Sequence, residues 1–349
     1  MSLTLTVDGD RWRKHLRSIA ESTPGLVPVA KGNGYGFGNG RLARKSQWLG
    51  ADTLAVGTYD ELDQVSSRYD GSLLVLTPWR PFSTVAEVEP SDRVIHTVSR
   101  LEDLTGLLTA DPSARLVLER MTTMLRHGFT ARELRAAATV LATHPRARLE
   151  GVAFHLPLAQ GEHLTEVERL MTDVVAAGLD TRTVWVSHLT AKELDTMRSS
   201  YGDFTVRPRI GTGLWLGDRG ALKVTATVLD AHQVVRGDVY GYRGRTAPRN
   251  GTILVVSGGS AHGIGLEAPT GDQSLRSRAA SIAKGGLDAA GFVRSPYSIG
   301  GKQRLFAEPP HMQASMLFLP SGAQVPQIGE SVDVRVRYTA TTFDRTVIS

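Results

Sequence analysis

A lysine followed by a glycine-rich loop is the feature of this sequence most able to do chemistry. The stretch VPVAKGNGYGFG places Lys31 at the end of an apolar run and Tyr35 among alternating glycines. A lysine amine condenses with an aldehyde only when it is uncharged, so this role requires a site that lowers its pKa. Glycine-rich turns and a tyrosine hydroxyl can hold a phosphate. By itself, the segment is equally well explained as an ordinary strand-to-helix turn with a solvated lysine.

The elements that would position this lysine form a regular alternation. Before residue 212, short apolar runs rich in β-branched residues alternate with amphipathic segments, and this predicts a closed (β/α)8 barrel. In such barrels the reactive groups lie at the carboxyl ends of the strands, which selects Lys31, His155 and the residues after Ile210. The predicted strands are Leu26–Lys31, Asp52–Thr58, Gly71–Thr77, Arg93–Ser99, Arg115–Met121, Leu149–Leu156, Arg182–Leu189 and Thr205–Gly211. The clearest predicted helices are Asn39–Gly50, Ala131–His144 and Gly161–Ala177.

The pattern changes near Ala221 to alternating strands separated by glycine turns. This texture predicts a smaller, mostly β domain at residues 219–349, after a barrel at residues 10–218. The opening strand Leu3–Val7 alternates in the same way, so we expect residues 1–9 to join that sheet.

The segment Lys31-x-x-x-Tyr35-Gly-x-Gly resembles the lysine motif of alanine racemases and related fold-type III enzymes, which use pyridoxal 5'-phosphate (PLP). The resemblance continues in matching order over nearly the whole chain. It implies that Lys31 is covalently linked to PLP and that Tyr35 contacts the cofactor phosphate.

The segment VRPRIGTG resembles the last barrel strand of the same family. The resemblance implies that Arg209 faces the pyridine nitrogen and that the N–H groups of Gly211 and Thr212 hold the phosphate. Because arginine keeps its proton, it cannot protonate that nitrogen, and the ring becomes a weaker electron sink suited to simple proton transfer. Arg207 fits an alternative register, and both arginines could instead be surface cations.

Four further residues match family positions. His155 resembles the histidine that lies against the cofactor ring, although a histidine at a strand end is more often a structural residue. Thr190 matches the phosphate-binding serine position only weakly. Arg126, in Arg-x-Gly-Phe, resembles the arginine that contacts the cofactor's phenolic oxygen and the substrate carboxylate. Glu119 falls where many members carry a carbamylated lysine, and its charge could orient Arg126.

The resemblance departs from the family at the second catalytic group. Racemisation needs acid/base groups on both faces of the substrate, and the family uses the PLP lysine and a tyrosine from the partner subunit. Here Ser260 occupies the tyrosine position, and a serine hydroxyl is too weak an acid to replace a phenol. His262, two residues on, has the pKa range for this work but could equally be a histidine of a glycine-rich turn. Met312 matches a substrate-side residue of the family's partner-subunit segment.

Composition excludes several classes of function. The chain has no cysteine, which removes thiol mechanisms and thiolate metal sites and suits a reducing cytoplasm, and we predict no metal site. No stretch approaches the apolar length of a membrane span, so we expect a soluble protein. The formal charge of +5 is spread along the chain rather than clustered, which argues against nucleic-acid binding.

The leading hypothesis is therefore a homodimeric, PLP-dependent amino-acid racemase with shared active sites, in which His262, water or another group serves the second face. One alternative keeps PLP but not racemisation, as a single-base enzyme or an inactive binding protein. A second alternative is a non-enzymatic barrel that binds a phosphorylated metabolite through the glycine loop.

Overall fold

The computed structural model describes residues 2–82, 92–158, 163–266 and 293–349. In chain order its strands are β1 (Leu3–Val7), β2 (Val27–Ala30), β3 (Thr53–Val56), β4 (Ser72–Val75), β5 (Val94–Val98), β6 (Arg115–Arg120), β7 (Arg148–His155), β8 (Thr183–Ser187), β9 (Thr205–Ile210), β10 (Leu222–Val234), β11 (Val239–Tyr240), β12 (Arg245–Thr246), β13 (Gly251–Ser257), β14 (Arg294–Ile299), β15 (Lys302–Phe306), β16 (Ala314–Pro320), β17 (Ser331–Val334) and β18 (Arg345–Ile348). Its α-helices are α1 (Gly9–Ser22), α2 (Asn39–Trp48), α3 (Leu62–Val65), α4 (Leu101–Ala110), α5 (Ala131–Ala142), α6 (Leu164–Ala177), α7 (Ala191–Ser200) and α8 (Thr212–Leu216).

The chain divides into two compact units. One, called the barrel unit, is Arg13–Gly217, and the other, called the β unit, combines Met1–Trp12 with Asp218–Ser349.

Eight parallel strands, β2 to β9, close the barrel unit in chain order. The closing pair is β2 with β9, with Val27 opposite Arg209 and Pro28 opposite Ile210. Apolar side chains from seven successive strands meet in the barrel interior, as expected for strands covered on both faces. This interior cluster comprises Val27, Val29, Ala55, Leu74, Ile95, Val117, Ala153 and Trp185.

Local sequence signals mark the ends of the helices around the barrel. α5 begins after Thr130, whose side chain forms a capping box with Glu133. α6 ends at Gly178, whose φ of 66° is the left-handed conformation that glycine adopts readily. Every helix in the described ranges falls short of the length and apolar content that crossing a membrane requires.

The β unit is built on one sheet with the strand order β13, β16, β15, β14, β17, β10, β1, β18. β1 pairs antiparallel with β10 and parallel with β18, so the two ends of the chain lie side by side in this sheet. The burial of β16 alternates along the strand, which is typical of a sheet with one covered face.

The predicted fold class, a (β/α)8 barrel followed by a smaller mostly β domain, is confirmed. Each of the eight predicted barrel strands is present, with ends that differ by a few residues. The predicted helices Asn39–Gly50 and Ala131–His144 end slightly early, at Trp48 and Ala142. The third begins at Leu164, and residues 161–162 of its predicted range lie outside the described residues.

Truncating the barrel interior should destabilise the protein. Leu74 is fully buried among the interior side chains, so Leu74→Ala should lower the free energy of unfolding by about 2 to 5 kcal/mol. Val175→Ala on α6 removes an exposed side chain and should change it by less than about 0.5 kcal/mol. Urea denaturation of both variants measures the difference, and equal losses would contradict this description of the core.

Candidate active site

Lys31 lies directly after β2, at the carboxyl end of the barrel strands. Because β2 pairs with β9, the loop that Lys31 opens lies beside the residues that follow Ile210. The side chain is exposed to solvent at the mouth of the barrel. The closing strand pair therefore brings together the two segments that the sequence analysis singled out.

The surroundings of Lys31 favour its uncharged form. Although Lys31 reaches solvent, the protein atoms around its amine remove part of its hydration; this desolvation lowers the pKa of the amine most, and the positive charges of Arg126 and Arg209 lower it further. The negative charge of Glu61 acts in the opposite direction. A larger share of the amine is thus uncharged, and hence nucleophilic, at neutral pH than for an ordinary lysine.

Glu61 is a site residue that the sequence analysis missed. One carboxylate oxygen accepts a hydrogen bond from the N–H of Gly32 at 2.6 Å, and the other accepts one from the N–H of Gly57 at 2.6 Å. The side chain therefore joins the loop after β2 to the loop after β3, next to Lys31. Its position just past a barrel strand was the available signal, since that is where barrel active sites are built.

Tyr35 and Gly211 form a close contact at the barrel mouth. Tyr35 is buried and has a φ of 55°, a left-handed conformation between two glycines. A Cβ at residue 211 would overlap the Tyr35 hydroxyl and lie 2.7 Å from its Cζ, so only glycine fits there. Burial, followed by the charge of Glu61, raises the pKa of Tyr35 to about 12, which keeps its phenol protonated as a donor. The backbone of Thr212 begins α8 directly beside this contact.

Arg209 projects into the barrel from β9 and is buried. Its Nη2 donates to the carbonyl of Phe154 at 2.9 Å, whereas its Nε has no hydrogen-bond partner among the described residues. Burial lowers the pKa of Arg209 to about 10, so the guanidinium stays charged at neutral pH. Glu119, buried on β6, likewise has one carboxylate oxygen without a hydrogen-bond partner in the described ranges. Burial raises the pKa of Glu119, although the positive charges of Arg209 and Arg126 act to lower it.

Arg126 and Arg207, the other two arginines considered from the sequence, differ in position and in partners. Arg126 is exposed in the loop after β6, and its charge acts on both Lys31 and Glu119. Arg207 donates to Asp52 at 3.1 Å, and Asp52 precedes β3 at the amino-terminal end of the strands. Arg209, and not Arg207, is therefore the arginine of β9 whose charge acts on Lys31.

His155 ends β7 and packs edge-on against His188, with ring centroids 5.2 Å apart. Burial and the nearby charge of Arg209 lower the pKa of His155 to about 3, so its ring is neutral at neutral pH. His188, which the sequence analysis missed, has a φ of 67°, a left-handed conformation uncommon outside glycine. It follows β8, where the barrel rule again gave a signal.

Thr190 begins α7 as its N-cap. Its hydroxyl accepts from the N–H of Glu193 at 3.2 Å and donates to the Glu193 carboxylate at 2.8 Å. The hydrogen bonds of the Thr190 hydroxyl are therefore made within α7, in a capping box with Glu193. The contact between Thr190 and a phosphate, which the resemblance implies, stays a prediction.

The remaining predicted residues belong to the β unit. Ser260 is exposed and begins a single 3-10 turn. His262 ends that turn, and both of its ring nitrogens are engaged: Nδ1 accepts the N–H of Gly259 at 3.2 Å, and Nε2 lies 3.0 Å from the Asp344 carboxylate. Met312 is 72% exposed.

Adding a methyl group at residue 211 should lower the melting temperature, whereas adding one at residue 213 should not. Gly211→Ala forces the Tyr35 ring to move, so the melting temperature should fall by the equivalent of about 1 to 3 kcal/mol. Gly213→Ala is the control, since a Cβ there meets only Ile210 Cγ2 at 3.5 Å. Adding Tyr35→Phe to Gly211→Ala removes the overlapping oxygen and should restore part of the loss. Equal melting temperatures for the two single variants would contradict the contact.

The charges around Lys31 should move the pH at which its amine reacts, in opposite directions. Arg126→Met removes a cation and should raise the Lys31 pKa, so labelling begins at higher pH. Glu61→Gln removes an anion and should lower it, so labelling begins at lower pH. Competitive acetylation of the cofactor-free protein across pH, followed by peptide mass spectrometry, measures both shifts. The exposed Lys192 on α7 is the internal reference, and shifts of the same sign would refute this electrostatic account.

Comparison with known proteins assigns the barrel unit to a family. The sequence profile described as "Alanine racemase, N-terminal domain" matches residues 7–205, which is more than half of the chain. The alanine racemase of Nitratidesulfovibrio vulgaris is 26% identical over 278 residues, covering 71% of this chain and 72% of that protein.

Solved structures share the fold over nearly the whole chain. An alanine racemase from Bartonella henselae, described with covalently bound pyridoxal phosphate, superposes with a TM-score of 0.71 at 17% identity, covering 97% of this chain and 91% of that one. A histidine racemase from Leuconostoc mesenteroides superposes with a TM-score of 0.70 at 16% identity, covering 99% and 98%. On the profile match and this shared architecture, the chain belongs to the alanine racemase family.

Proposed function

We propose that this protein is a PLP-dependent amino-acid racemase that holds the cofactor covalently on Lys31. The observation that carries the proposal is an amine of lowered pKa at the carboxyl end of β2, in the same loop as Tyr35, which contacts Gly211 just after the neighbouring strand β9. This pairing of a nucleophilic amine with a cluster of hydrogen-bond donors suits an aldehyde that carries a phosphate.

The residues present fit PLP at its phosphate and at its pyridine nitrogen. Tyr35, which stays protonated, and the backbone at Gly211 and Thr212 would hold the phosphate as donors. Arg209, whose buried Nε has no partner among the described residues, would face the pyridine nitrogen. The neutral ring of His155 would lie against the cofactor, and Arg126 would bind the substrate carboxylate.

PLP, when bound, supplies an electron sink for the bond that breaks at the substrate α-carbon. Lys31 Nζ takes and returns a proton on one face of that carbon. Arg209 keeps its own proton because its pKa, although lowered by burial, stays near 10. It therefore does not protonate the pyridine nitrogen, which favours simple proton transfer at the α-carbon over other reactions.

Alanine is the first substrate to test, because alanine racemases are the relatives that the sequence matches. A histidine racemase shares the fold, so the substrate panel should extend to larger amino acids. We further propose a homodimer in which the β unit of one copy completes the site of its partner. Met312, exposed on the β unit, would then lie on the substrate side, and His262, water or another group of the β unit would serve the second face.

The second candidate function is PLP binding without racemisation, and one observation favours it. Ser260 stands where the family tyrosine is expected, and the ring nitrogens of His262 are both hydrogen-bonded. A protein with a single working base would exchange the α-proton of one enantiomer for solvent deuterium with retention of configuration. Racemisation instead places deuterium in both enantiomers.

Replacing Lys31 should abolish covalent cofactor binding. Purified wild-type protein mixed with PLP should show visible yellow absorption, and borohydride should leave the cofactor mass on the peptide that contains Lys31. Lys31→Ala should lose both signals, together with racemisation of the amino-acid panel.

Lys192→Ala, which removes an exposed lysine of α7, is the matched control and should keep both signals. Cofactor mass on another lysine would refute the assignment of Lys31. Covalent binding with no racemisation of any amino acid would instead establish the second candidate function.

A further inference from the structure

The β unit holds a second histidine near Ser260, and its setting differs from that of His262. The backbone N–H of Ser260 donates to the carbonyl of His311 at 2.8 Å, and the next residue, Ala261, donates to the carbonyl of Met312 at 3.0 Å. A Cβ at residue 259 would overlap that same His311 carbonyl, so glycine permits this close approach. His311 therefore adjoins the position at which the resemblance predicts a catalytic tyrosine.

A buried carboxylate holds the ring of His311. Its Nε2 lies 2.5 Å from Oε1 of Glu308, whose side chain is 2% exposed, whereas the His311 side chain is 27% exposed. The same Glu308 oxygen accepts the N–H of Tyr242 at 3.3 Å, and the Tyr242 ring lies 4.6 Å from the His311 ring, between centroids. The imidazole is thus held at Nε2 by a buried carboxylate, while its side chain as a whole is partly exposed to solvent.

This hydrogen bond determines which nitrogen can take a proton. Glu308 accepts, so the ring proton lies on Nε2, and the lone pair lies on Nδ1. Nδ1 makes no hydrogen bond with any described residue. In His262 the corresponding lone pair already accepts the N–H of Gly259, so that ring must break a hydrogen bond before it can act as a base.

We propose that His311 is the acid/base group for the second face of the substrate, with Glu308 as its positioning residue. This inference rests on the proposed racemase function. His311 Nδ1 removes the α-proton: the C–H bond breaks, an N–H bond forms, and the resulting positive charge is stabilised by Glu308. In this direction Lys31 Nζ starts protonated, gives that proton to the opposite face and is left as the free amine, so one proton leaves the α-carbon, one arrives, and the exchange needs no other reactant. In the reverse direction the two groups exchange roles.

The test compares His311→Gln with His232→Gln in the PLP-loaded full-length protein. Glutamine can still donate to Glu308 from a position close to Nε2 but cannot accept a proton. His232, an exposed histidine of β10 that lies 3.3 Å from Asp230, is a matched control outside the site. Each variant is incubated in D2O with both enantiomers of the panel amino acid that the wild type converts fastest.

We expect His311→Gln to slow interconversion about 10² to 10⁴-fold while exchange of the α-proton with retention persists for one enantiomer. The visible absorption of PLP on Lys31 and the yield of the borohydride adduct should stay at wild-type levels. The His232→Gln variant should match the wild type in these signals and in its rate of interconversion. If instead His262→Gln abolishes interconversion and His311→Gln does not, the inference is overturned.

A readout that needs no turnover is the tautomer of the ring. In nitrogen-15 spectra of the wild type at pH 8, the His311 signals, assigned by their loss in His311→Gln, should show a proton on Nε2 and none on Nδ1. A proton on Nδ1 would overturn the inference whatever the kinetics show.

Mixed dimers test whether two copies share a site. Co-expression of Lys31→Ala with His311→Gln should recover activity that neither variant has alone, because one of the two sites in the mixed dimer is intact. No recovery would overturn the assignment of His311 to a partner's site.

Failure of the proposed function is recognised separately. A wild-type protein that takes up no PLP on Lys31 refutes the function and, with it, the role of His311. A wild type that binds PLP and racemises, alongside a His311→Gln variant of equal rate, refutes only the inference about His311.

Discussion

The pairing of β2 with β9 is the constraint on which the barrel site depends. It closes the ring of strands and sets Val27 opposite Arg209, so the loop after one strand lies beside the loop after the other. Tyr35 then packs directly over Gly211, where any side chain would overlap its hydroxyl. Without that register, Lys31 and Gly211, separated by about 180 residues of sequence, would not share one end of the barrel.

Closing the barrel also concentrates positive charge around Lys31. Desolvation lowers the pKa of the amine most, and the positive charges of Arg126 and Arg209 lower it further. Such a concentration of cations suits an anionic ligand, since opposite charges in a partly buried site attract strongly. The negative charge of Glu61 raises the pKa of Lys31 and so offsets part of this lowering. Its two hydrogen bonds to backbone N–H groups hold the loop that carries Lys31.

Two histidines of the β unit differ in the hydrogen bonds of their ring nitrogens. His262 and His311 both lie near Ser260, and both have a carboxylate as a partner. The difference is the second nitrogen, which in His262 accepts a backbone N–H and in His311 makes no hydrogen bond within the described residues. We infer the acid/base role from that difference, because proton transfer requires an accessible lone pair.

The amino-acid sequence by itself determined the architecture, because the period of its apolar residues distinguishes strands from helices whatever the details of packing. It also singled out Lys31 as a strand-ending lysine before a glycine-rich loop, which is a local pattern, while Tyr35 and Gly211 were singled out through the resemblance of their segments to the family's motifs. The tertiary structure decided the rest: the orientation of Arg209, the hydrogen bonds of Glu61 to two strand-end loops, and which of two histidines keeps a ring nitrogen without a hydrogen bond to any described residue. These depend on hydrogen bonds between residues distant in sequence, and no local pattern encodes such partners.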